Sequence, residues 1–185
     1  MGYIKELMIR LLFHILLITH LISISYGYST ARKIGDVMQL ALPITALSST
    51  YCIDDNQGTK SFFKSYLTTI SMTYVIKEIS QKPRPDGSDY LSFPSGHTSS
   101  AFAGASFIHF RYGFKYSIPL YLLASFTGYS RVESDKHYVE DVLAGAGLAI
   151  LSSWYFTPSY NKNIVSFGYD SNTNTIQFNL IKYFK

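Results

Sequence analysis

The sequence predicts an all-α fold: a compact bundle of about five helices behind an N-terminal apolar leader, with a C-terminal β-hairpin. Three observations predict it. Apolar segments of helical length are separated by short polar breaks rich in Gly, Pro, Asp and Asn. The composition is 47% hydrophobic and only 15% charged, against about 25% charged in an average soluble domain. The last stretch abandons helical spacing for strict alternation. At 185 residues the chain accommodates one compact domain with a core, and scarcely two.

In order along the chain, Lys5 and Arg10 precede the apolar run Leu11–Ile24, with Ser25 and Gly27 after it. This is the pattern of a signal peptide over residues 1–27. The uncharged stretch to Ser29 is also just long enough for an uncleaved N-terminal membrane helix. The first bundle helix is expected over Val37–Ile53, ending at the polar break Asp54–Gly58. The second runs from about Lys60 to Gln81 and is stopped by Pro83 and Pro85, which disfavour helical geometry at Lys82 and Arg84. The third begins near His97 or Thr98 and ends at Tyr112 before Gly113; its small centre, Ala103–Ser106, permits close helix approach. The fourth spans roughly Tyr116–Ser130, and the fifth runs from about Tyr138 to Phe156. In the tail, Val165, Phe167 and Tyr169, then Ile176, Phe178 and Leu180, alternate with polar residues around the turn Ser171–Asn174, which makes residues 161–185 a hairpin extension of a domain at 28–160.

Some function classes are excluded at once. A single cysteine, Cys52, rules out an intramolecular disulfide, and its apolar setting reads as a small buried side chain. The net charge of +4 is spread without a dense basic run, so no nucleic-acid partner is expected; the mild cationic character suits an anionic substrate.

Three polar clusters stand at helix ends: Lys77 with Arg84-Pro85, Pro94-Ser95-Gly96-His97, and Ser130-Arg131 with His137 and Asp141. They fall after the second helix, before the third, and between the fourth and fifth. In an alternating bundle all three junctions lie at one end. Lys77, Arg84 and Arg131 then offer three cations to one anion, Arg with a planar fork and Lys as a point charge. Ser95, Gly96 and His97 form a helix start whose free N–H groups cradle an anion. His137 and Asp141 are one helical turn apart, so a carboxylate can hold an imidazole and leave its other nitrogen free to attack. His97 supplies a second imidazole able to protonate a leaving oxygen. Any one of these features is commonplace as a cap or a surface pair; all of them at one end of a bundle are not.

These three motifs resemble the signatures of the type 2 phosphatidic acid phosphatase (PAP2) family, which is related to the vanadium haloperoxidases. The match runs without substitution from Lys77 to Asp141, and the helical frame extends it to about Pro158. The resemblance implies an all-helical, metal-independent phosphomonoesterase or pyrophosphatase that needs no cofactor. His137 is then the nucleophile, oriented by Asp141; His97 is the general acid; Lys77, Arg84, Arg131, Ser95 and Gly96 bind the phosphoryl oxygens. It further implies a bacterial cell-envelope enzyme whose substrate is a phosphorylated lipid, a polyprenyl (di)phosphate or a small phosphoester. Membrane association, with a periplasm-facing site in the inner membrane, is one expectation. Six apolar segments and the placement of Arg111 and Lys115 on the opposite side favour it. A soluble periplasmic acid phosphatase is the other, since few segments reach about 20 uncharged residues. The chain is short for the shell that holds vanadate, and the full motif set speaks against a non-catalytic scaffold.

Overall fold

The computed structural model describes residues 30–160 in full and the backbone of residues 163–170 and 175–182. The expected signal peptide or membrane helix over residues 1–27 and the turn at residues 171–174 lie outside the described residues. Five helices follow one another: α1 (Thr30–Cys52), α2 (Asn56–Ser80), α3 (Gly96–Tyr112), α4 (Phe114–Glu133) and α5 (Val139–Phe156). Two backbone segments, β1 (Asn163–Asp170) and β2 (Thr175–Lys182), pair antiparallel with Val165 opposite Leu180 and Phe167 opposite Phe178.

Helix α3 is central and packs against each of the other four helices. Small residues make this possible. A Cβ on Gly104 would lie 2.5 Å from the Leu42 carbonyl carbon and 2.7 Å from the Pro43 nitrogen, so α1 and α3 touch backbone to backbone as the Ala103–Ser106 centre implies. Pro43, inside α1, has no N–H for the carbonyl one turn earlier. That orphaned carbonyl, on Gln39, accepts the Ser100 hydroxyl of α3 at 2.6 Å, which turns a helix defect into an interhelical bond. The apolar core is made of Met38, Leu42, Phe62, Phe107, Ile108 and Leu120, with Ala101, Ala105 and Ala124 between them. Buried Ser and Thr are tolerated there because they donate to carbonyls of their own helices, Thr45 to Ala41 and Thr69 to Ser65 at 2.8 Å each.

Two expectations are corrected. The apolar run marks a start for α1 at Val37, yet the helix already runs at Thr30. The polar turn stays helical because Arg131 of α4 holds the Arg32 carbonyl and the Asp36 carboxylate, both at 2.8 Å. Cys52, expected to be buried, is exposed at the last residue of α1. Elsewhere the boundaries agree to within a few residues: α2 stops at Ser80, with Gln81 left-handed (φ 42°) ahead of Pro83, and Gly113 (φ 110°) separates α3 from α4.

Candidate active site

The end of α2, the loop at residues 81–95, the start of α3, the end of α4 and the loop into α5 meet at one end of the bundle. A cleft of about 360 Å³ opens there, lined by Lys77, Arg84, Leu91, Gly96, His97 and His137, with Ser100 of α3 beside them and Gln39, Leu40, Tyr66, Ile70, Thr73 and Tyr74 continuing the wall along α1 and α2. Five of the eight residues expected at the site thus share one wall. Ser95, Arg131 and Asp141 stand behind it.

His137 is buried, and Nη1 of Arg84 lies 3.3 Å from its Nε2. A guanidinium can only donate, so Nε2 must accept and the ring proton belongs on Nδ1. The single Nε2 lone pair is therefore directed at Arg84 on the cleft wall, and it becomes free when Arg84 turns to another acceptor. Burial first, then the positive charges of Lys77 and Arg84, hold the His137 pKa below the usual imidazole value, against the pull of the Ser92 carbonyl and of Asp141. The nitrogen is an unprotonated base well into acid.

The expected His137–Asp141 bond is looser than one helical turn suggests. His137 precedes α5, and its Nδ1 is 3.7 Å from Asp141 Oδ2 and has no hydrogen-bond partner among the described residues. Asp141 is occupied otherwise. Its Oδ2 accepts the Ser92 hydroxyl at 2.5 Å and the Tyr138 N–H at 3.0 Å, capping α5, and its Oδ1 accepts Lys82 Nζ at 2.7 Å. The carboxylate faces the ring as a charge fixed in place.

Lys77 donates to the Leu91 carbonyl at 2.5 Å and has no carboxylate in ion-pair contact among the described residues. Burial, then the charge of Arg84, pushes its pKa down to about 8. Arg84 spends Nε on Asp89 at 2.6 Å and aims Nη1 at the Lys136 carbonyl and His137. Arg131 reaches Asp36 and the Arg32 carbonyl instead of the cleft. Ser95 is fully buried: its hydroxyl accepts from Thr98 at 3.0 Å and its N–H donates to the Asp141 carbonyl at 2.9 Å, so only Gly96 and His97 offer the cleft the start of α3. His97 Nε2 sits 3.0 Å from Asp36 Oδ1.

Sequence reasoning misses Lys82, Ser92 and Asp36. Lys82 hides in the variable part of the first cluster, where a lysine before a proline reads as a solvated loop cation. Ser92 carries no pattern at all. Asp36 had a signal: it is an acidic residue one position before an apolar helical run.

The PAP2 superfamily family model matches residues 45–164, well over half of the chain and all three clusters. The chain belongs to the PAP2 superfamily. Among characterised proteins, a lipid A 1-phosphatase of Porphyromonas gingivalis is 49% identical over 71 residues, which is 37% of this chain and only 16% of that protein. A lipid A 4'-phosphatase of Helicobacter pylori is 29% identical over 148 residues, 74% of each. Among solved structures, Aquifex aeolicus LpxE superposes with a TM-score of 0.60 at 20% identity, covering 76% of this chain and 92% of that one, a likeness of fold. Among the described residues of this PAP2 chain, no helix is long and apolar enough to cross a membrane.

Proposed function

We propose that this chain is a metal-independent phosphatase of the bacterial cell envelope that removes a phosphate from a phosphorylated lipid through a phosphohistidine at His137. The observation that carries the reaction is the buried His137 Nε2, tautomer-selected by Arg84 and opening onto a cleft that also holds Lys77, Gly96 and His97. Phosphoryl transfer needs positioning and charge stabilisation more than covalent help from the protein. Lys77 and Arg84 supply positive charge at the reacting phosphorus, joined by the Gly96 and His97 N–H groups at the start of α3, while Arg131 and Ser95 support from behind. Asp141 stabilises the His137 ring as it becomes positively charged on bonding to phosphorus. His97 protonates the leaving oxygen and then takes a proton from the attacking water. Residues 28–160 form the catalytic domain and residues 161–185 an extension with no part in this chemistry.

A lipid substrate is favoured by the other wall of the same cleft. Leu40, Tyr66, Ile70 and Tyr74 continue from the cations between α1 and α2, and Leu40, Ile44, Leu67 and Tyr74 are exposed on the adjoining surface. A cationic end joined to an apolar trough matches a molecule with a phosphate head and an acyl chain, and association with the membrane surface follows from the same faces. Names of the relatives point to lipid A as the first substrate to try.

The test is phosphate release from a Kdo2-lipid A substrate by wild type and His137→Ala. Loss of at least ~10³-fold is expected for a missing nucleophile, together with a phosphoenzyme trapped from wild type by alkaline quench and mapped to His137 by mass spectrometry. Retained turnover in His137→Ala, or phosphate mapped to another residue, overturns the reading.

A further inference from the structure

Asp36 lies nine residues before the stretch matched by the superfamily, yet it touches two of the signature residues within that stretch. Its Oδ1 is 3.0 Å from His97 Nε2 and 2.8 Å from Arg131 Nη1. The approach is built in. A Cβ on Gly35 would lie 2.0 Å from the Ser130 hydroxyl oxygen and 3.1 Å from Arg131 Nη2, so glycine at this position is what lets α1 press against the end of α4. Arg131 then fastens the first turn of α1 a second time through the Arg32 carbonyl at 2.8 Å. The carboxylate is not buried like a core ion pair: the Asp36 side chain is 46% exposed, beside a His97 side chain 30% exposed at the cleft.

We propose that Asp36 is a positioning residue for phosphoryl transfer: it holds His97 with Nε2–H on its carboxylate and leaves Nδ1 as the nitrogen that exchanges protons with the substrate. This rests on the reading of His97 as the general acid. In the first step the His137 Nε2 lone pair bonds to phosphorus while the P–O bond to the leaving group breaks, and the leaving oxygen takes the Nδ1 proton of His97. In the second, Nδ1 takes a proton from water as the water oxygen bonds to phosphorus, and the P–N bond returns its electron pair to His137. His97 is the cationic partner in one step and the neutral partner in the other, and a carboxylate on Nε2 fixes the ring in both.

Asp36 also opposes an unfavourable setting. His97 is faced by Arg131 from α4 and by Arg84 from the loop after α2, with Lys77 of α2 and His137 on the same cleft wall. Burial and the two arginines disfavour its protonated form, and Asp36 is the carboxylate that favours it. The cost is a negative charge near an anionic substrate, so Asp36 is expected to weaken binding slightly while raising turnover. An ion pair that merely ties α1 to α4 would show no such split.

The experiment compares two substrates that differ in their need for an acid. An alkoxide leaves only when protonated, so n-octyl phosphate depends on His97; p-nitrophenolate departs as the anion. For Asp36→Asn in the full chain, kcat/KM for n-octyl phosphate is expected to fall roughly 10–100-fold, a share of the ~10²–10⁴ a general acid supplies. For p-nitrophenyl phosphate it is expected to fall no more than about threefold, because the acid is not needed for departure. Asp36→Glu should recover part of the octyl rate. Equal losses on both substrates, or no loss on either, overturn the proposal. A second measurement needs no turnover: NMR titration of the His97 ring should give a lower pKa in Asp36→Asn than in wild type, and an unchanged pKa overturns the pairing. If wild type cleaves neither ester nor lipid, it is the phosphatase reading that fails, and the titration still decides the role of Asp36.

Discussion

Both ends of the bundle bury cations, and they treat them in opposite ways. At the end away from the cleft, Arg111 and Asp55 are sealed together, their side chains 2% and 3% exposed, with the guanidinium bidentate at 2.5 and 2.7 Å. Every remaining group is spent. Asp55 also accepts the Tyr112 hydroxyl and the Gly58 N–H, and Arg111 also donates to the Pro158 and Ser159 carbonyls and lies over the Tyr160 ring. At the cleft, Lys77 rests on a backbone carbonyl, and the carboxylates that meet Arg84 and Arg131 are 42% and 46% exposed. A buried arginine clamped by an equally buried carboxylate closes a structure. On the proposed function, Lys77 and Arg84, left with carbonyls and a half-solvated carboxylate, are charges held for an incoming anion, with a substrate phosphate offsetting the cost of their desolvation.

That contrast breaks most sharply on a pair of substitutions. Arg84→Ala is expected to lower kcat/KM by ~10²–10³, the usual loss of one contact to a developing charge, with little change in Tm. Arg111→Met is expected to cost about 3–5 kcal/mol of stability by stranding Asp55, the usual result of removing one partner of a buried pair, with turnover per folded molecule largely kept. Steady-state kinetics beside chemical denaturation measure both. If Arg84→Ala unfolds the protein, or if Arg111→Met silences it while folded, the two ends are not divided as described.

A second contrast is in titration. If Lys77 binds phosphate as proposed, it must be protonated to do so, and burial holds its pKa at about 8. As pH rises through about 8 the charge is lost, so kcat/KM should fall there. Lys77→Arg replaces it with a group that keeps its charge, and the alkaline fall should move to higher pH even if the peak rate drops. A fall that stays in place would assign it to a group other than Lys77. By linkage, the unfolded chain binds more protons than the fold above about 8, so wild-type denaturation midpoints should rise with pH there, and those of Lys77→Arg should not.

How much of this was legible follows from the same division. The clusters at Lys77–Arg84, Ser95–His97 and Arg131–Asp141 were readable because each required residue type recurs at fixed spacing, and helix alternation alone put them at one end. The contacts between clusters were not. Asp141 was expected to hold His137, but its position in the first turn of α5 commits it to capping that helix and to Ser92 and Lys82. Arg131 was expected in the cleft, but the close approach at Gly35 diverts it to Asp36 and Arg32. Arg111, read only as a charge on the far side, became a clamp because Asp55 sits in the α1–α2 turn opposite it. Side-chain partners drawn from distant helices leave no period in a sequence, whereas helix ends and signature spacings do.

The finest test of the division concerns Lys82, which stands between the two kinds of cation. It meets the fully buried Asp141 and the exposed Glu140, both at 2.7 Å, and lies over the Tyr138 ring at 4.3 Å. If its role is to offset Asp141, the effect of removing it can be signed. Asp141 favours a protonated His137, and Lys82 cancels part of that field. Lys82→Met should therefore raise the His137 pKa, so that less free base remains at a given acidic pH and the acid limb of kcat/KM moves to higher pH. At neutral pH the loss should be only two- to fivefold, in keeping with the ~0.5–1 kcal/mol of a partly exposed charge pair. Glu140→Gln, which removes the exposed partner alone, should leave both the limb and the rate near wild type. An acid limb that moves down in Lys82→Met, or that follows Glu140→Gln instead, would make Lys82 a surface cation and leave Asp141 answerable to Ser92 and the helix cap alone.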